Sequence, residues 1–441
     1  MGQYFGTDGV RGKANVVLTV DMAFQIGQAL GAIYPKSKIV VGMDTRLSSG
    51  MLKYAVCAGI AASSAHAYDV GVVPTPTIAY LCSKEDFIAG VMISASHNPY
   101  YDNGIKIFNH QGLKIDDQIE ALIEKVLNKE THLILANDTE IGKIDAYPQG
   151  LDHYIRYISS IYPIDLSGLN IAIDAANGSA CVSAKMVLES MHANVLSMHD
   201  NPNGININNH CGSTHPGDLQ KFVIKHQCDV GLAFDGDADR LIAVDEQGNL
   251  IDGDKTIYIC ALNMMKHKQL NQDTVVTTVM ANLGLYKALQ DAGIKTEQTQ
   301  VGDKYVYDRM LLKNLSLGGE QSGHIIFKEY LSTGDGLLTA LSLLSIMVEE
   351  KKGLAELSKD LIIYPQTLIN VHVTNKHTAL ENPILCEHIA LLQKALGTEG
   401  RILVRPSGTE PLVRVMAEAS TQDQCDDLVS QIVTVIEREH L

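Results

Sequence analysis

Apolar runs rich in Val and Ile recur along the chain, and several of them end directly in a polar, turn-forming cluster. Four such runs cover residues 38–43, 90–93, 170–173 and 230–234. Continuous apolar runs are typical of strands that are buried on both faces of a parallel sheet. We therefore expect the polar clusters to lie at the carboxyl ends of buried strands, where α/β proteins place their ligand sites.

Between these runs, apolar residues recur at the spacing of an α-helix. One apolar face is predicted within residues 23–33 and another within residues 119–127, the latter preceded by Asp116 and Asp117, which suit a helix N-terminus. Strands that alternate with helices predict α/β layers. The residues of the two faces are Ala23, Ile26, Leu30 and Ile33, and Ile119, Leu122, Ile123, Val126 and Leu127.

Polar stretches and a predicted turn divide the chain into four predicted domains. The polar residues 137–149 are interpreted as a linker, and the sequence DEQGN at 245–249 predicts a hairpin turn near the second boundary. The first three domains are expected to be α/β units and the fourth a smaller α+β unit. The predicted domain ranges are 1–148, 149–250, 251–366 and 367–441.

The C-terminal range has a pattern of its own. It predicts two helices and three strands. The predicted strands are 368–373, 401–404 and 412–417, and the predicted helices are 378–396 and 424–438.

Composition narrows the class of protein. The 441 residues are 46% apolar and carry a net charge of −16, which gives no general electrostatic reason to bind nucleic acid or an anionic membrane. Any anion site must therefore be built locally. The apolar stretch at 336–348 is too short to span a bilayer, and the eight scattered cysteines form no CxxC pair. We expect a cytoplasmic protein with reduced, mostly buried thiols.

Three carboxylates follow the run that ends at residue 234. The sequence DGDADR at 235–240 brings together Asp235, Asp237 and Asp239, whose charges repel one another unless a cation neutralises them. A few hard oxygen ligands favour Mg²⁺. An EF-hand loop would need Gly at its sixth position, where this chain has Arg240. We expect a metal loop, with a solvated acidic turn as the alternative.

A serine-containing turn follows the run at 90–93. The sequence SASHNP at 94–99 places a hydroxyl at a strand end, with Asn-Pro enforcing a turn behind it, and YDNGIK follows at 101–106. The segment lacks the Gly-x-Ser-x-Gly pattern of hydrolases. His97 is not assigned as a base, because adjacent side chains rarely face each other. An ordinary Ser-rich turn is the alternative.

Two further loops combine groups that suit phosphosugars. The sequence GGEQSGH at 318–324 mixes a carboxylate, a hydroxyl and an imidazole on a backbone that glycine allows to turn tightly. The sequence RPSGTEP at 405–411, followed by Arg414, resembles a local anion cradle, since Arg matches phosphate with two parallel hydrogen bonds. The alternatives are a structural histidine in the first loop and a polar hairpin turn in the second.

Together the four segments resemble the α-D-phosphohexomutase superfamily, which has a phosphoserine loop, a DGDxDR metal loop, a GExSGH sugar loop and a C-terminal phosphate loop. All four occur here in the family's order between residues 94 and 414. Within the superfamily the chain looks most like the bacterial branch that acts on glucosamine phosphate. The basis is FGTDGVRG at 5–12, ISASHNP at 93–99, VGDKYV at 301–306 and Gln321. Lys304 stands where Arg is more often expected, and either residue keeps a cation.

The resemblance implies a role for each matching residue. Ser96 would be phosphorylated, and its phosphate would hold Mg²⁺ together with Asp235, Asp237 and Asp239. The groups expected near the reacting phosphate are Arg11 and Lys106, with His324 in proton transfer. The expected substrate-binding residues are Lys304, Glu320, Ser322, Arg405, Ser407, Gly408, Thr409 and Arg414.

The same resemblance implies fold and activity. The expected fold is a four-domain α/β architecture, with three similar domains that have mixed sheets and a smaller C-terminal α+β domain, around a central cleft. The expected reaction converts glucosamine 6-phosphate to glucosamine 1-phosphate, with Mg²⁺ and a glucosamine or glucose 1,6-bisphosphate primer, and supplies UDP-N-acetylglucosamine synthesis. A homodimer is a further expectation. The alternatives are a phosphomannomutase/phosphoglucomutase, a phosphatase, and a non-catalytic protein that binds phosphosugars.

Overall fold

Four β-sheets carry the fold of the described part of the chain. The computed structural model describes residues 3–6, 8–407 and 412–441, with residue 377 described by its backbone alone. These residues form two compact units, one of residues 1–280 and 293–359 and the other of residues 281–292 and 360–441. Three sheets lie in the first unit and one in the second.

The first sheet has six strands. They are β1 (Val10–Lys13), β2 (Lys38–Met43), β3 (His66–Val72), β4 (Ala89–Ile93), β5 (Asp102–Asn109) and β6 (Ile144–Ala146). Their order is β1-β5-β4-β2-β3-β6. The pairs that β2 forms with β3 and β4 are parallel, as is the pair β3–β6, whereas β5 runs antiparallel to β4 and β1. All five residues of β4 are buried, as its continuous apolar run predicts.

Four helices accompany this sheet. They are α1 (Val20–Ile33), α2 (Ser49–Ala62), α3 (Thr75–Lys84) and α4 (Asp117–Leu127). The predicted helix start at the acidic pair is confirmed, since the Asp116 side chain accepts hydrogen bonds from the backbone N–H groups of Gln118 and Ile119. Thr19 caps α1 in the same way, through the N–H of Met22.

The second sheet has five strands. They are β7 (Asn170–Asp174), β8 (Asn194–Met198), β9 (Val230–Phe234), β10 (Leu241–Val244) and β11 (Leu250–Ile251), in the order β11-β10-β9-β7-β8. The central pair β7–β9 is parallel and β10 returns antiparallel to β9. The predicted hairpin turn is confirmed, because Asp245 N–H donates to the Asn249 carbonyl over 3.0 Å between β10 and β11. The helices of this region are α5 (Gln149–Ile161), α6 (Ala184–Ser190) and α7 (Gly217–His226).

The third sheet has four strands. They are β12 (Thr274–Thr278), β13 (Lys295–Thr299), β14 (Leu317–Gly319) and β15 (Ile325–Phe327), in the order β13-β12-β14-β15. β12 is parallel to β13 and β14, and β15 is antiparallel to β14. The helices along this part of the chain are α8 (Gly253–Lys266), α9 (Leu283–Asp291), α10 (Asp303–Lys313), α11 (Gly336–Glu350) and α12 (Leu354–Leu357), of which α9 belongs to the second unit.

The second unit contains a small antiparallel sheet. Its strands are β16 (Gln366–His372), β17 (Arg401–Pro406) and β18 (Leu412–Glu418), with β18 in the centre. Its C-terminal helices are α13 (Lys376–Leu380), α14 (Pro383–Leu396) and α15 (Gln422–Arg438). The buried face of α15 includes Leu428, Ile432, Val435 and Ile436. The expected fold class, three α/β units with mixed sheets and a smaller α+β unit, is confirmed.

One local prediction is wrong, and the predicted linker contains a short strand. The single helix predicted at 378–396 is broken into α13 and α14, because Pro383 begins a new helix whose cap is the side chain of Asn382. The predicted linker 137–149 is not structureless, since β6 pairs in parallel with β3 at the edge of the first sheet. The four domain ranges stay predictions.

Two other expectations concern the membrane and the thiols. None of the helices that the structure describes is long and apolar enough to cross a membrane. All eight cysteines are free thiols, and six of them are buried, with Cys181 half-buried and Cys386 exposed.

Candidate active site

The turn after β4 places a serine hydroxyl against a carboxylate from another sheet. Ser96 Oγ donates a hydrogen bond to Asp235 Oδ2 over 2.5 Å, although 139 positions separate the two residues in sequence. Ser96 is buried, and its backbone has a left-handed φ of 50°. Non-glycine residues rarely adopt this conformation, and those that do cluster at functional sites. The polar clusters that follow β4 and β9 therefore lie in contact with each other.

The three carboxylates of the DGDADR loop also converge. One oxygen from each of Asp235, Asp237 and Asp239 lies within 4.8 Å of the other two, and all three residues are buried. Oδ1 of Asp237 and Oδ1 of Asp239 are shielded from solvent and have no hydrogen-bond partner within the described residues. Buried oxygens in this condition suit a hard divalent cation. The donor set therefore fits a metal ion.

The charge balance of the triad leads to the same conclusion. Burial, reinforced by the charges of Asp239 and Asp237, raises the pKa of the Asp235 carboxyl well above its usual range. Burial also acts against ionisation of Asp239, but Lys106, His324 and Arg240 together outweigh it and hold the pKa of Asp239 well below its usual range. Full ionisation of the triad therefore needs a further positive charge.

Lys106 is the buried cation of this cluster. Its Nζ donates hydrogen bonds to Asp237 Oδ2 over 2.8 Å and to Asp239 Oδ2 over 3.2 Å, and it lies 3.2 Å from Asp8 Oδ2. Burial alone would lower the pKa of Lys106, but the three carboxylates raise it well above its usual value. The ammonium group therefore stays charged, and it is suited to stabilise negative charge.

Arg11 reaches the cluster through Asp8, which the sequence analysis did not single out. Arg11 Nη2 donates to Asp8 Oδ2, and Lys114 Nζ lies 2.7 Å from Asp8 Oδ1. Lys114 also pairs with Asp303 Oδ2 at 2.7 Å. Asp8 and Asp303 both lie in segments that carried the family resemblance, and that position was the signal that could have identified them.

His324 lies beside the triad in a defined tautomer. Its Nε2 accepts a hydrogen bond from the backbone N–H of Gly334 over 2.9 Å, so the proton of the neutral ring is on Nδ1. Nδ1 lies 3.8 Å from Asp239 Oδ1, and Nε2 lies 3.7 Å from Asp303 Oδ2. The imidazole is buried among acidic groups and directs its N–H toward the metal loop.

The loop between β14 and β15 needs a glycine to reach this site. Gly323 has a φ of 90°, and a Cβ there would lie 2.2 Å from the carbonyl oxygen of Leu241. Any other residue would therefore push the loop away from β10. The loop also holds Glu320, whose Oε1 accepts a hydrogen bond from the backbone N–H of Gly302 over 3.0 Å.

A cavity of about 200 Å³ opens between these groups. Its walls include Arg11, Arg240, Glu320 and His324. Nε of Arg11 and Nε of Arg240 are shielded from solvent and form no hydrogen bond with any described residue. Two unsatisfied guanidinium donors suit an anion such as phosphate, and the carboxylate beside them can accept hydrogen bonds from hydroxyl groups.

Three residues predicted or quoted for substrate recognition do not line this cavity. Ser322 is exposed at the tip of its loop. The amide of Gln321 donates to Asp252 Oδ2 over 3.4 Å, and Lys304 Nζ donates to Asp117 Oδ1 over 2.7 Å. In this conformation their polar groups are directed at neighbouring acidic residues.

A buried arginine that sequence analysis did not single out holds the serine turn from behind. Arg46 Nη2 donates to the carbonyl of Ser96 over 2.7 Å, and Nη1 donates to the carbonyls of Pro99 at 2.5 Å and Asp102 at 3.1 Å. Its Nε is paired with Asp44 Oδ2 at 2.7 Å. Arg46 lies in the polar cluster that follows β2. The sequence pattern that predicts candidate site residues after β4 and β9, a polar cluster at the end of an apolar run, is therefore also present here.

The predicted phosphate loop belongs to the second unit. Arg405 on β17 lies directly opposite Arg414 on β18. Burial, followed by the charge of Arg414, lowers the pKa of Arg405, and Arg414 Nε is shielded with no hydrogen-bond partner in the described part of the chain. Like charges placed opposite each other favour an anion between them. Ser407, two positions after Arg405, is buried. Gly408 and Thr409 lie outside the described residues.

Comparisons with protein families agree with this architecture. The chain matches four families, all described as phosphoglucomutase/phosphomannomutase. They are alpha/beta/alpha domain I at residues 2–133, alpha/beta/alpha domain II at 152–248, alpha/beta/alpha domain III at 252–363 and the C-terminal domain at 368–435.

Known proteins match over the whole length of the chain. A phosphoglucosamine mutase of Oceanobacillus iheyensis is 47% identical, and the match covers 100% of both chains. A crystal structure of a phosphoglucomutase/phosphomannomutase family protein from Burkholderia thailandensis has a TM-score of 0.81 at 24% identity, over 98% of this chain and 97% of that one. An Aspergillus fumigatus N-acetylphosphoglucosamine mutase in complex with GlcNAc-6P and magnesium has a TM-score of 0.70 at 18% identity, over 100% and 96%.

Proposed function

This chain belongs to the phosphoglucosamine mutase family, and we propose that it converts glucosamine 6-phosphate to glucosamine 1-phosphate through a phosphoserine at Ser96. The observation that carries the proposal is the 2.5 Å contact between Ser96 Oγ and Asp235, inside a buried carboxylate triad beside Lys106. A binding protein has no use for a buried nucleophile at such a place. The product supplies UDP-N-acetylglucosamine synthesis.

The reaction transfers one phosphoryl group out and one back. Phosphorylated Ser96 gives its phosphoryl group to the O1 hydroxyl of glucosamine 6-phosphate, whose proton is removed, and glucosamine 1,6-bisphosphate forms. The bisphosphate turns end for end and returns the phosphoryl group from O6 to Ser96, while O6 takes up a proton. A glucosamine or glucose 1,6-bisphosphate primes the cycle by phosphorylating Ser96 at the start.

Charge neutralisation is the main contribution of the protein, because phosphoryl transfer depends on positioning and electrostatic stabilisation. Asp235, Asp237 and Asp239, with the phosphate on Ser96, are suited to hold Mg²⁺, and the Aspergillus relative is described with magnesium. When bound, Mg²⁺ neutralises negative charge on the phosphoryl group in transfer. Lys106 supplies a second, permanently charged group at the same place.

Lys106, Arg11 and His324 are the groups proposed to act on the proton and on the charge of the reacting phosphate, and Arg11 and His324 line the cavity. Lys106 is held in its charged form and is suited to stabilise charge. His324 accepts the Gly334 N–H at Nε2, so its Nδ1–H is the group that faces the metal loop, and the proposed role in proton transfer requires that Nε2 be released to take up a proton. Arg11, paired with Asp8, faces the cavity and completes the set of groups that flank the reacting phosphate.

Recognition of the sugar phosphate uses the remaining predicted residues. Glu320 lines the cavity and is proposed to accept hydrogen bonds from sugar hydroxyls. Ser322 and Lys304 are proposed as further substrate-binding residues, which requires that their side chains move toward the ligand. The phosphate that is not transferred is assigned to the C-terminal loop. Its proposed ligands are Arg405, Ser407, Gly408, Thr409 and Arg414. A homodimer and a cytoplasmic location stay predictions from the family resemblance.

The experiment compares turnover of glucosamine 6-phosphate, glucose 6-phosphate and mannose 6-phosphate, with Mg²⁺ and glucose 1,6-bisphosphate present. We expect kcat/KM to be highest for glucosamine 6-phosphate. A higher value for glucose 6-phosphate or mannose 6-phosphate would favour the runner-up, a phosphomannomutase/phosphoglucomutase. Steady release of inorganic phosphate without isomerisation would favour a phosphatase.

Two carboxylate variants distinguish a loss of sugar phosphate binding from the general effect of removing a negative charge. Glu320→Gln is expected to raise KM for all three sugar phosphates at least tenfold, because the loss of a charged hydrogen-bond partner costs about 1.5–3 kcal/mol. The matched control is Glu329→Gln, which lies outside the cavity and is expected to leave KM unchanged. Equal effects of the two substitutions would contradict the role of Glu320.

A further inference from the structure

A second cluster of side chains that could hold a metal ion lies at the second sheet, apart from the DGDADR loop. Asp174 ends β7, His199 follows β8, and Cys211 lies in the loop before α7. One potential ligand atom of each residue lies within 4.8 Å of the other two. Asp174 and Cys211 are fully buried, and the side chain of His199 is 29% exposed. The three side chains are therefore already close together, and an ion from solvent can reach them on the side where His199 is exposed.

The imidazole and the carboxylate of the cluster lie at ion-pair distance, and the same arrangement suits two ligands of one ion. His199 Nδ1 lies 3.1 Å from Asp174 Oδ2, but Nδ1 is shielded from solvent and makes no hydrogen bond of acceptable angle with any described residue. In a His–Asp pair the N–H would point at the carboxylate. Two ligands of one tetrahedral metal instead lie side by side at about this separation, since each is about 2.0–2.2 Å from the ion.

Backbone N–H groups hold the Asp174 carboxylate in place through hydrogen bonds, as is common for metal ligands. Asp174 Oδ1 accepts the N–H of Ala176 and Oδ2 accepts the N–H of Gly212, both over 2.9 Å. Each carboxylate oxygen keeps a further lone pair. Gly212 directly follows Cys211, so the same hydrogen bond ties the carboxylate to the thiol loop. Outer hydrogen bonds of this kind orient metal ligands and are part of natural sites.

The donor set identifies the class of ion. One nitrogen, one oxygen and one sulfur ligand suit Zn²⁺ and similar thiophilic divalent cations, whereas Mg²⁺ prefers oxygen alone. Cys181 is nearby, but its sulfur is directed at the carbonyls of Ala175 and His199, at 4.0 and 3.8 Å, so it is not assigned as a ligand. Water can fill the fourth position.

We propose that Asp174, His199 and Cys211 form a binding site for one Zn²⁺-class cation, separate from the Mg²⁺ site of the reaction. The site is joined to the serine turn by a short path. Asn208, three positions before Cys211, donates from Nδ2 to the carbonyls of Ser96 at 2.8 Å and Asn98 at 3.1 Å. A bound cation cross-links the loops after β7 and β8 to the loop that carries Asn208, and so stabilises the support of the serine turn.

Cobalt titration tests the site directly. Co²⁺ is added to the purified full-length chain with Mg²⁺ in excess, so that the oxygen-only triad is occupied. The expected result is a thiolate-to-cobalt charge-transfer band that saturates at one Co²⁺ per chain and is displaced by Zn²⁺. Cys211→Ser is expected to lose the band. The matched control is Cys228→Ser, which changes another buried thiol of the same sheet region, and it is expected to keep the band.

A second variant guards against misfolding of Cys211→Ser. His199 is partly exposed and has a left-handed φ of 48°, which asparagine tolerates well, so His199→Asn should fold. Calorimetric titration with Zn²⁺ alone should show at least tenfold weaker binding in this variant, and Zn²⁺ should raise its melting temperature less than that of the parent. The proposal is overturned if the parent shows no cobalt–thiolate band, if Cys211→Ser keeps it, or if His199→Asn binds Zn²⁺ as tightly as the parent.

Discussion

The guanidinium group of Arg46 donates a hydrogen bond to the main-chain carbonyl of Ser96 over 2.7 Å, and neither side chain is accessible to solvent. The same guanidinium holds the carbonyls of Pro99 and Asp102, so one side chain fixes the whole turn that presents the serine hydroxyl. The left-handed φ of Ser96 is costly for a non-glycine residue, and these hydrogen bonds offset that cost.

Arg46→Lys is therefore expected to lower kcat by about 100-fold with little change in KM. Lysine keeps the charge but cannot reach three carbonyls from one planar group, and a displacement of about 1 Å at a reacting atom can cost a factor of this size. Steady-state kinetics with glucosamine 6-phosphate provides the test. Arg309→Lys is the matched control, because Arg309 pairs only with Glu297 at 2.7 Å among the described residues and lies away from the site. An effect confined to stability, with kcat unchanged, would contradict the positioning role.

Gly323→Ala is expected to destabilise the first unit and to weaken sugar phosphate binding. The added Cβ would meet the Leu241 carbonyl at 2.2 Å in addition to the strain of a φ of 90°. Gly293→Ala is the control for strain alone, because Gly293 has a φ of 79° and open space around the Cβ position. We expect a loss on the order of 3 kcal/mol for Gly323→Ala and about 1 kcal/mol for Gly293→Ala, from urea unfolding. Equal losses in the two variants would show that the close approach to β10 does not matter.

The Asp335 carboxyl should make the free energy of unfolding depend on pH. Tyr154 Oη donates to its Oδ2 over 2.8 Å, and burial raises its pKa from 3.8 to about 6. Because the folded chain favours the protonated carboxyl, the contribution to stability is complete below about pH 4 and is lost as the pH rises through about 6. A difference of this size between the folded and unfolded pKa corresponds to about 3 kcal/mol.

The comparison with Asp335→Asn removes the effects of all other titrating groups. The free energy of unfolding of the parent, minus that of the variant, should fall by about 3 kcal/mol between about pH 4 and pH 7.5. Urea unfolding at several pH values measures this difference. A difference that is constant with pH, or one that grows as the pH rises, would show that the carboxyl is ionised in the folded chain.

Arg414→Gln should separate stability from phosphate binding in the second unit. The substitution removes the like charge opposite Arg405, so we expect an unchanged or slightly higher melting temperature. It also removes a guanidinium from the proposed phosphate loop, so KM for every sugar phosphate should rise at least tenfold. Arg438→Gln, on the exposed end of α15, should change neither quantity. A normal KM in Arg414→Gln would exclude Arg414 from the phosphate loop.

Much of the site could be predicted because its loops share one sequence signal. Ser96 and Asp235 each follow a continuous apolar run, and the runs became the buried strands β4 and β9 with carboxyl ends that meet. The same signal precedes Arg46, but sequence alone does not show which of several polar residues at a strand end faces the reacting group. Asp8, Asp303 and Lys114 were missed because their ion pairs join segments up to 189 positions apart, and no local pattern encodes such a meeting.

The break between α13 and α14 and the short strand β6 were not predicted, for similar reasons. Helical spacing continues across residues 378–396, and it hides the break that Pro383 and its Asn382 cap impose. The edge strand β6 is three exposed residues long, so its apolar pattern is too short to detect, and its pairing with β3 depends on the packing of the whole sheet.

The central claim is that Ser96 carries the phosphoryl group during turnover. The most direct measurement incubates the chain with glucose 1,6-bisphosphate labelled with radioactive phosphorus, locates the label by peptide mapping, and then adds unlabelled glucosamine 6-phosphate. We predict that the label is on Ser96 and leaves it at a rate no slower than kcat, and that Ser96→Ala takes up no label and loses turnover while it stays folded. Label on another residue, or normal turnover in Ser96→Ala, would contradict this account.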